Sequence, residues 1–428
     1  MPPQPGMPLI TNGLRTVNFF NGRLLTAEDL HNEQISAQRA RRRLGLAVGD
    51  GVLRGLRVRV SATATRTRLL VHVESGIAVN MLGDPLELGS DVDVSLSGGH
   101  APAAPVQPAT FAPCGEPDLG APPLGAGAYL LTLGPASQKV GRAPVNGQAA
   151  EPARCATDAT VEGVTFGLLP LDVPASFLGA KERPRLRNRL AHLLFGSTGG
   201  SGRPGIDLLG ADGEMRPPQG LVDELRTAGR LDDASVPLAA VFWTVENGVE
   251  FVDTWAARRG LVRREPAIRW PALLGERPRS DAVAVLHQFQ DQVDDLVASD
   301  ADLTRLAASD LFDLLPPAGI VPVASERSGA GFHRDDFLGA VGSRFVETLD
   351  GDAVRALLEE SLTHRPVPTT GGDLRFRRYW VSENLVTSAE GSVPRLVMVF
   401  AAESLAYRGT ARFGYARMGA SRFAHTGM

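Results

Sequence analysis

The side chains best placed to do chemistry are His333, Asp335 and Asp336, which stand together in SGAGFHRDDFLG. An imidazole beside two carboxylates is enough for general acid–base work. The same stretch also reads as a loop whose Asp335 caps a following helix, since a short acceptor ahead of an apolar residue satisfies the exposed amides of a first turn. The capping reading is preferred, and a hydrolase using His333 with Asp335 or Asp336 is kept as the enzyme hypothesis. The glycine-rich run Gly196 to Gly205 lacks both the preceding strand and the following Lys-Ser/Thr of a phosphate cradle, so it reads as a flexible break. His100, Cys114 and Cys155 supply three zinc ligands at irregular spacing with no fourth, which is short of a tetrahedral site. There is no HExxH, C-x-x-C, P-loop or G-x-S-x-G, and the 8 histidines are scattered singly from His31 to His425. The expectation is a chain that is not an enzyme, with no catalytic residues, no metal and no cofactor.

The arginine run Arg41-Arg42-Arg43 is the remaining charged cluster. It could grip phosphates, but the first half of the same segment carries Glu28 and Asp29, and the whole chain has a formal charge of -4. A contact between subunits fits that pattern better, and no nucleic acid is expected. Thr26 stands as an N-cap with acidic residues in the first turn and Arg39 to Arg43 near the end, so a helix over about Ala27 to Leu44 suits the helix dipole at both ends. Its apolar positions, Leu30, Ile35 and Ala37, are sparse, and most of its surface is left to meet another chain.

The elements around these residues define an α+β fold. An N-terminal arm and helix, residues 1–45, precede a β-rich region, 46–173. There the runs VLRGLRVRV, RLLVHVESGIAV and DVDVSL alternate polar and apolar residues. SGIAVNMLGDPLEL reads as a hairpin, and an Ala/Pro/Gly loop spans 97–126. Strands at Ala128 to Gly134 and Val161 to Leu171 are expected to complete the same sheet system. A mixed, largely helical segment follows, 174–365. It has helical spacing over 175–196 interrupted by Pro184, a hairpin over 238–261 turning at Asn247-Gly248, and a long amphipathic helix over Asp281 to Leu306. Shorter helices are expected at Asp335 to Ala340 and Asp352 to Leu362. The chain ends in a C-terminal β-region and an Arg/aromatic tail, 366–428.

At 428 residues the chain can bury two or three cores. The 44 basic residues are nearly all Arg, which favours forked pairing with carboxylates. Two cysteines do not make a disulfide scaffold. They could pair with each other, but unpaired thiols in a reducing cytoplasm are preferred, because MPPQPGMPLITNGL does not resemble a signal peptide. No apolar run is long enough to cross a bilayer.

NFFNGRLLTAEDLHNEQ, residues 18–34, resembles the opening of a family of bacterial proteins encoded beside phage-tail-like contractile injection systems and related tail gene clusters. GRAPVNG, ATVEGVTFGLLPL, LFDLLPPAGIVPV and AYRGTARFGYARM look like further segments of that family. The resemblance spreads over most of the chain and brings no catalytic residues with it. It implies a structural part of a tail-like particle, at the baseplate or in a shell or cage around it, made in the cytoplasm and released by lysis. Copies of the chain itself and other tail or baseplate proteins are the implied partners. Closed rings suit elements that one copy cannot bury, with three- or six-fold symmetry implied by the resemblance alone. The expected assembly contacts lie at the two ends. In the N-terminal segment they are Phe19, Phe20, Arg23, Leu24, Leu25, Leu30, Arg41, Arg42 and Arg43; in the tail they are Tyr407, Arg408, Arg412, Phe413, Tyr415 and Arg417. The competing non-enzymatic reading is a surface-ligand or fibre-binding module built on the β-regions.

Overall fold

The structure is a computed structural model. It describes residues 14, 16–96, 125–145, 154–179, 181–197, 220–263, 275–299, 301–324, 331–339, 344–369, 376–381 and 396–405, which form a mixed α+β protein. The chain enters through a long helix, α1 (Ala27–Val48). It then builds two small antiparallel sheets from β1 (Gly51–Gly55), β2 (Val58–Val60), β3 (Leu70–Val73), β4 (Gly76–Val79), β5 (Pro85–Leu88) and β6 (Val92–Ser95), in the orders β1-β4-β5 and β2-β3-β6. The expected hairpin is present: β4 and β5 pair from Gly76↔Leu88 to Val79↔Pro85. Asn80 fixes its turn, because its side-chain oxygen accepts from the amides of Leu82 and Asp84 at 3.0 and 2.8 Å.

The next sheet has the order β10-β9-β7-β8, with β7 (Gly127–Val145), β8 (Arg154–Pro170), β9 (Val236–Thr244) and β10 (Gly248–Asp253), all antiparallel. Strand β9 reads VPLAAVFWT without polar alternation because both of its faces are covered. Leu238, Val241 and Trp243 pack with Tyr129, Leu131 and Leu133 against the two small sheets. Ala240 and Phe242 pack with Ala128 and Leu130 against helices on the other side. The expectation that strands near 128–134 and 161–171 would extend the sheets of residues 51–96 is therefore corrected. They pair with each other as β7 and β8, β7 takes β9 on its other edge, and the N-terminal sheets pack on them face to face. The hairpin over 238–261 is present, but its turn occupies residues 245–247, with Gly248 opening β10 opposite Thr244, and the second strand runs into α4 (Thr254–Ala257).

The helical layer contains α2 (Leu186–Phe195), α3 (Leu221–Thr227), α4 and α5 (Glu276–Ala298). Pro184 sits in a 3-10 turn at Arg183–Arg185, and α2 starts only after it, ending on a left-handed Gly196. Helix α5 stops at Ser299, short of the expected Leu306, and residues Leu303–Arg305 form a separate 3-10 turn whose N-cap Asp302 accepts from Thr304. Helix α5 belongs to two cores at once. Ala284 and Val285 face the β9 layer, while Phe289 and Val293 face the C-terminal one.

That C-terminal layer follows α6 (Ala308–Leu311) and the short pair β11 (Leu314–Leu315) and β14 (Val367–Pro368). Its sheet has the order β12-β16-β15-β13, with β12 (Ala318–Val323), β13 (Arg344–Leu349), β15 (Phe376–Val381) and β16 (Leu396–Ala402). Only β13 and β15 run parallel there. Helix α7 (Gly351–Ser361), capped by Asp350, covers one face through Val354 and Leu357. Phe289, Phe312, Phe332 and Phe337 crowd Phe376 and Phe400 on the other. Of the helix expected over Asp335 to Ala340, Ala340 lies outside the described residues, and the described residues 334–338 are a turn. Phe332 and Phe337 both enter the core, and residues five apart do not share a helix face. Asp335 caps nothing there and instead accepts from Arg378 at 3.0 Å.

Candidate assembly interface

The N-terminal segment builds its own local frame. The Thr26 hydroxyl accepts from the Asp29 amide at 3.1 Å, and the Asp29 carboxylate accepts from the Thr26 amide at 3.1 Å, a reciprocal capping box. Those hydrogen bonds from Thr26, with Arg23 at 2.7 Å, hold the Asp29 carboxyl below its usual range. Arg23 also donates to the Asn18 carbonyl at 2.7 Å and lies over the Phe20 ring, and the Val17 amide donates to Glu33. The arm is thus folded back along the first turns of α1.

What the segment does not do is bury its apolar groups. Phe19, Phe20 and Leu24 are 59%, 66% and 90% exposed, and Leu25 and Leu30 about half so. Along all of α1 only Ser36 is buried. The helix continues through Leu44, Leu46 and Val48 to Gly49, whose φ of +109° ends it. The arginine run therefore lies more than a turn before the C-terminus, and its match to the dipole is weaker than the sequence suggested. Arg42 pairs with Asp84, which holds its guanidinium charged, and Arg41 is exposed. Gly45 fits the β4–β5 turn so closely that a Cβ there would collide with the Gly83 carbonyl oxygen. The body thus grips α1 near its C-terminal end. The residues expected to contribute from the tail, Tyr407, Arg408, Arg412, Phe413, Tyr415 and Arg417, lie outside the described residues, as do His100 and Cys114.

A second exposed element escaped the sequence reading. Strands β7 and β8 stay paired as far as Val145↔Arg154, whereas β9 accompanies β7 only to Leu133. Beyond that point the pair is a two-stranded ribbon, with Ser137 to Gly141 and Thr157 to Gly163 exposed. Such a ribbon is marginal in water by itself. It carries no periodic signal, because PASQKVGRAPV and ATDATVEG put small and polar residues on both faces.

Buried polar side chains join separate elements of the fold. Arg187 is 11% exposed and reaches Asp253, 1% exposed, at 2.9 Å and Asp295 at 2.6 Å. Burial alone would lower the Arg187 pKa, and the two aspartates more than offset it. Asn188 accepts from the amides of Asp313 and Leu314 and donates to the Leu314 carbonyl, completing the backbone pairing of β11 from a helix. One turn on, buried His192 packs edge-on to Phe195 and its pKa is driven from 6.5 down to about 3, by burial and against a hydrogen bond to Leu314. The unfolded chain therefore takes up a proton that the folded one refuses, so stability is complete above about 6.5 and falls as pH drops toward about 3. His192→Leu is expected to lose that slope: between about pH 7 and pH 5 wild type should give up roughly 2 kcal/mol more than the variant. Denaturant midpoints at the two pH values measure it, and equal slopes would refute it.

His333 and Asp336 do meet, at 2.8 Å, on an exposed turn, while Asp335 is held by Arg334 and Arg378. A cavity of about 210 Å³ lies elsewhere, between Asp50, Val79, Phe195, Arg226, Arg259 and Asp281. Arg259 there pairs with Asp281 at 2.6 Å, and Arg277 with Asp223 and Asp281. Among the described residues no three His, Cys, Asp or Glu side chains are grouped to hold a metal ion, and no helix is long and apolar enough to cross a membrane. No protein-family model and no curated protein matches the chain.

Proposed function

We propose that this chain is a non-catalytic, self-associating structural component of a phage-tail-like contractile injection particle, placed at or around its baseplate. The observation that carries the assembly part is the N-terminal segment. A capped helix of 22 residues with one buried side chain, led by exposed Phe19, Phe20 and Leu24, stands outside every core of the fold. Isolated helices of that kind gain little from propensity, and exposed apolar groups in such number mark a surface made for a partner. The particle itself is inferred from the resemblance of NFFNGRLLTAEDLHNEQ and the later segments to proteins of tail gene clusters. Copies of the chain and other tail or baseplate proteins are the partners in this reading. Nucleic acid has no part in it, and the chain is made in the cytoplasm and leaves with the particle on lysis.

Deleting residues 1–45 is expected to change the stability of the remaining body by only about 1 kcal/mol, since no core cluster loses a member. The truncated chain should no longer sediment with particles. A truncated chain that sediments with them as wild type does would overturn the proposal.

A further inference from the structure

Along α1, Leu30, Gln34, Ala37, Arg41, Leu44 and Val48 recur at alternating spacings of four and three residues, the period of a coiled-coil seam. All six are exposed, Leu30, Leu44 and Val48 at 51%, 69% and 49%. The flanking sides of the helix are occupied. The arm lies against Asp29 and Glu33, and the β4–β5 turn lies against Arg42 and Gly45. The seam runs between these two contacts.

Charge is distributed unevenly along the same helix. Glu28, Asp29 and Glu33 occupy its first two turns, and Arg39, Arg41, Arg42 and Arg43 a later stretch. Two parallel copies would set Glu28 beside Glu28 and Arg41 beside Arg41. Two antiparallel copies set the acidic half of one against the basic half of the other and oppose the two helix dipoles.

We propose that α1 pairs antiparallel with α1 of a second copy of this chain, about a twofold axis passing between Ala37 and Arg41. Leu30 then meets Val48 of the second copy, Gln34 meets Leu44, and Ala37 meets Arg41. The small Ala37 leaves room for the aliphatic stem of Arg41 to cross the seam, with its guanidinium directed toward Glu33 of the second copy. Leu44 and Val48, which the body leaves exposed, become covered. This contact rests on the assembly reading above and names the partner of that surface; a shell, or two rings stacked back to back, would use it as a twofold joint.

The test uses the full chain with Cys114→Ser and Cys155→Ser as background. Ala37→Cys and Arg41→Cys are made as separate chains, one carrying a size tag, and are co-expressed and oxidised. The expected result is a covalent heterodimer from the mixture and none from either variant alone. In the antiparallel pair, like positions are offset by about 6 Å along the axis, which added to the sideways gap between the helices puts them beyond the roughly 7 Å Cα reach of a disulfide. Cross-linking of Ala37→Cys with itself would show parallel pairing and overturn the proposal, as would a monomer that forms no cross-link in any combination. A monomer that still enters particles would defeat this contact and leave the assembly reading standing. A cross-linked dimer never found with particles would do the reverse.

Discussion

Asp253→Ala should destabilise the protein by about 3–5 kcal/mol, the range for removing one partner of a buried ion pair. Asp253 is 1% exposed, and its two oxygens serve three segments. Oδ1 accepts from the Ala256 amide and caps α4; Oδ2 accepts from Arg187 of α2 at 2.9 Å and from Gln288 of α5 at 2.9 Å. Alanine leaves Arg187 with only the exposed carboxylate of Asp295 and leaves a buried amide of Gln288 short of an acceptor. The strength of the pair is not itself the point, since a paired buried charge contributes little net stability. What costs is the cation left behind. Asp253→Asn keeps the shape and the cap and should lose less. Urea unfolding of the two variants measures the difference, and a loss below about 1 kcal/mol for Asp253→Ala would contradict the described network.

Phe289→Ala should cost about 3–5 kcal/mol, as large-to-small changes at a closed core site do. Its ring is 1% exposed and lies 5.1 Å from Phe312 and 5.5 Å from Phe400, centroid to centroid. The site cannot collapse easily, because Gly319 approaches so closely that a Cβ there would sit 2.7 Å from both the Phe289 and Phe400 rings. Phe289 also lies on the helix that joins the β9 layer to the C-terminal sheet, so its loss should loosen the join as well as one core. Thermal unfolding would then broaden or split into two transitions. A single sharp transition at the wild-type temperature would show that α5 does not carry the join.

The N-cap at Thr26, the hairpin over 238–261 and the β4–β5 hairpin were legible because each is written in a few adjacent residues. Turn and cap chemistry is local and needs no knowledge of the rest of the chain. The α+β class was legible for the same reason. The partners of β7 and β12 were not, since β9 lies about a hundred residues beyond β7, and β16 lies some eighty beyond β12, and no local rule selects them. Asp335 shows how a strong local pattern fails. Its cap signature was sound, but Phe332 and Phe337 gain more by entering the C-terminal core than a short helix would return. The ion network around Asp253 was invisible for another reason. Its members, Arg187, Asp253 and Gln288, come from three elements and mean nothing separately.

The candidate interface divides along the same line. Sparse apolar positions in α1 predicted a helix with too little apolar surface to be only a core element, and Leu30, Leu44 and Val48 are exposed. The β7–β8 ribbon carried no such signal, because an element exposed on both faces has no pattern imposed by burial. Both stand outside the four cores, and under the proposed function both would meet a neighbour in the assembly.

The most direct measurement is immunogold labelling of intact tail-like particles, purified from cells that carry this gene, with an antibody against the folded body of the chain. The proposed function predicts label concentrated at or around the baseplate end of the particle and absent from particles made without the gene. Unlabelled particles, with the chain confined to the soluble fraction, would contradict it.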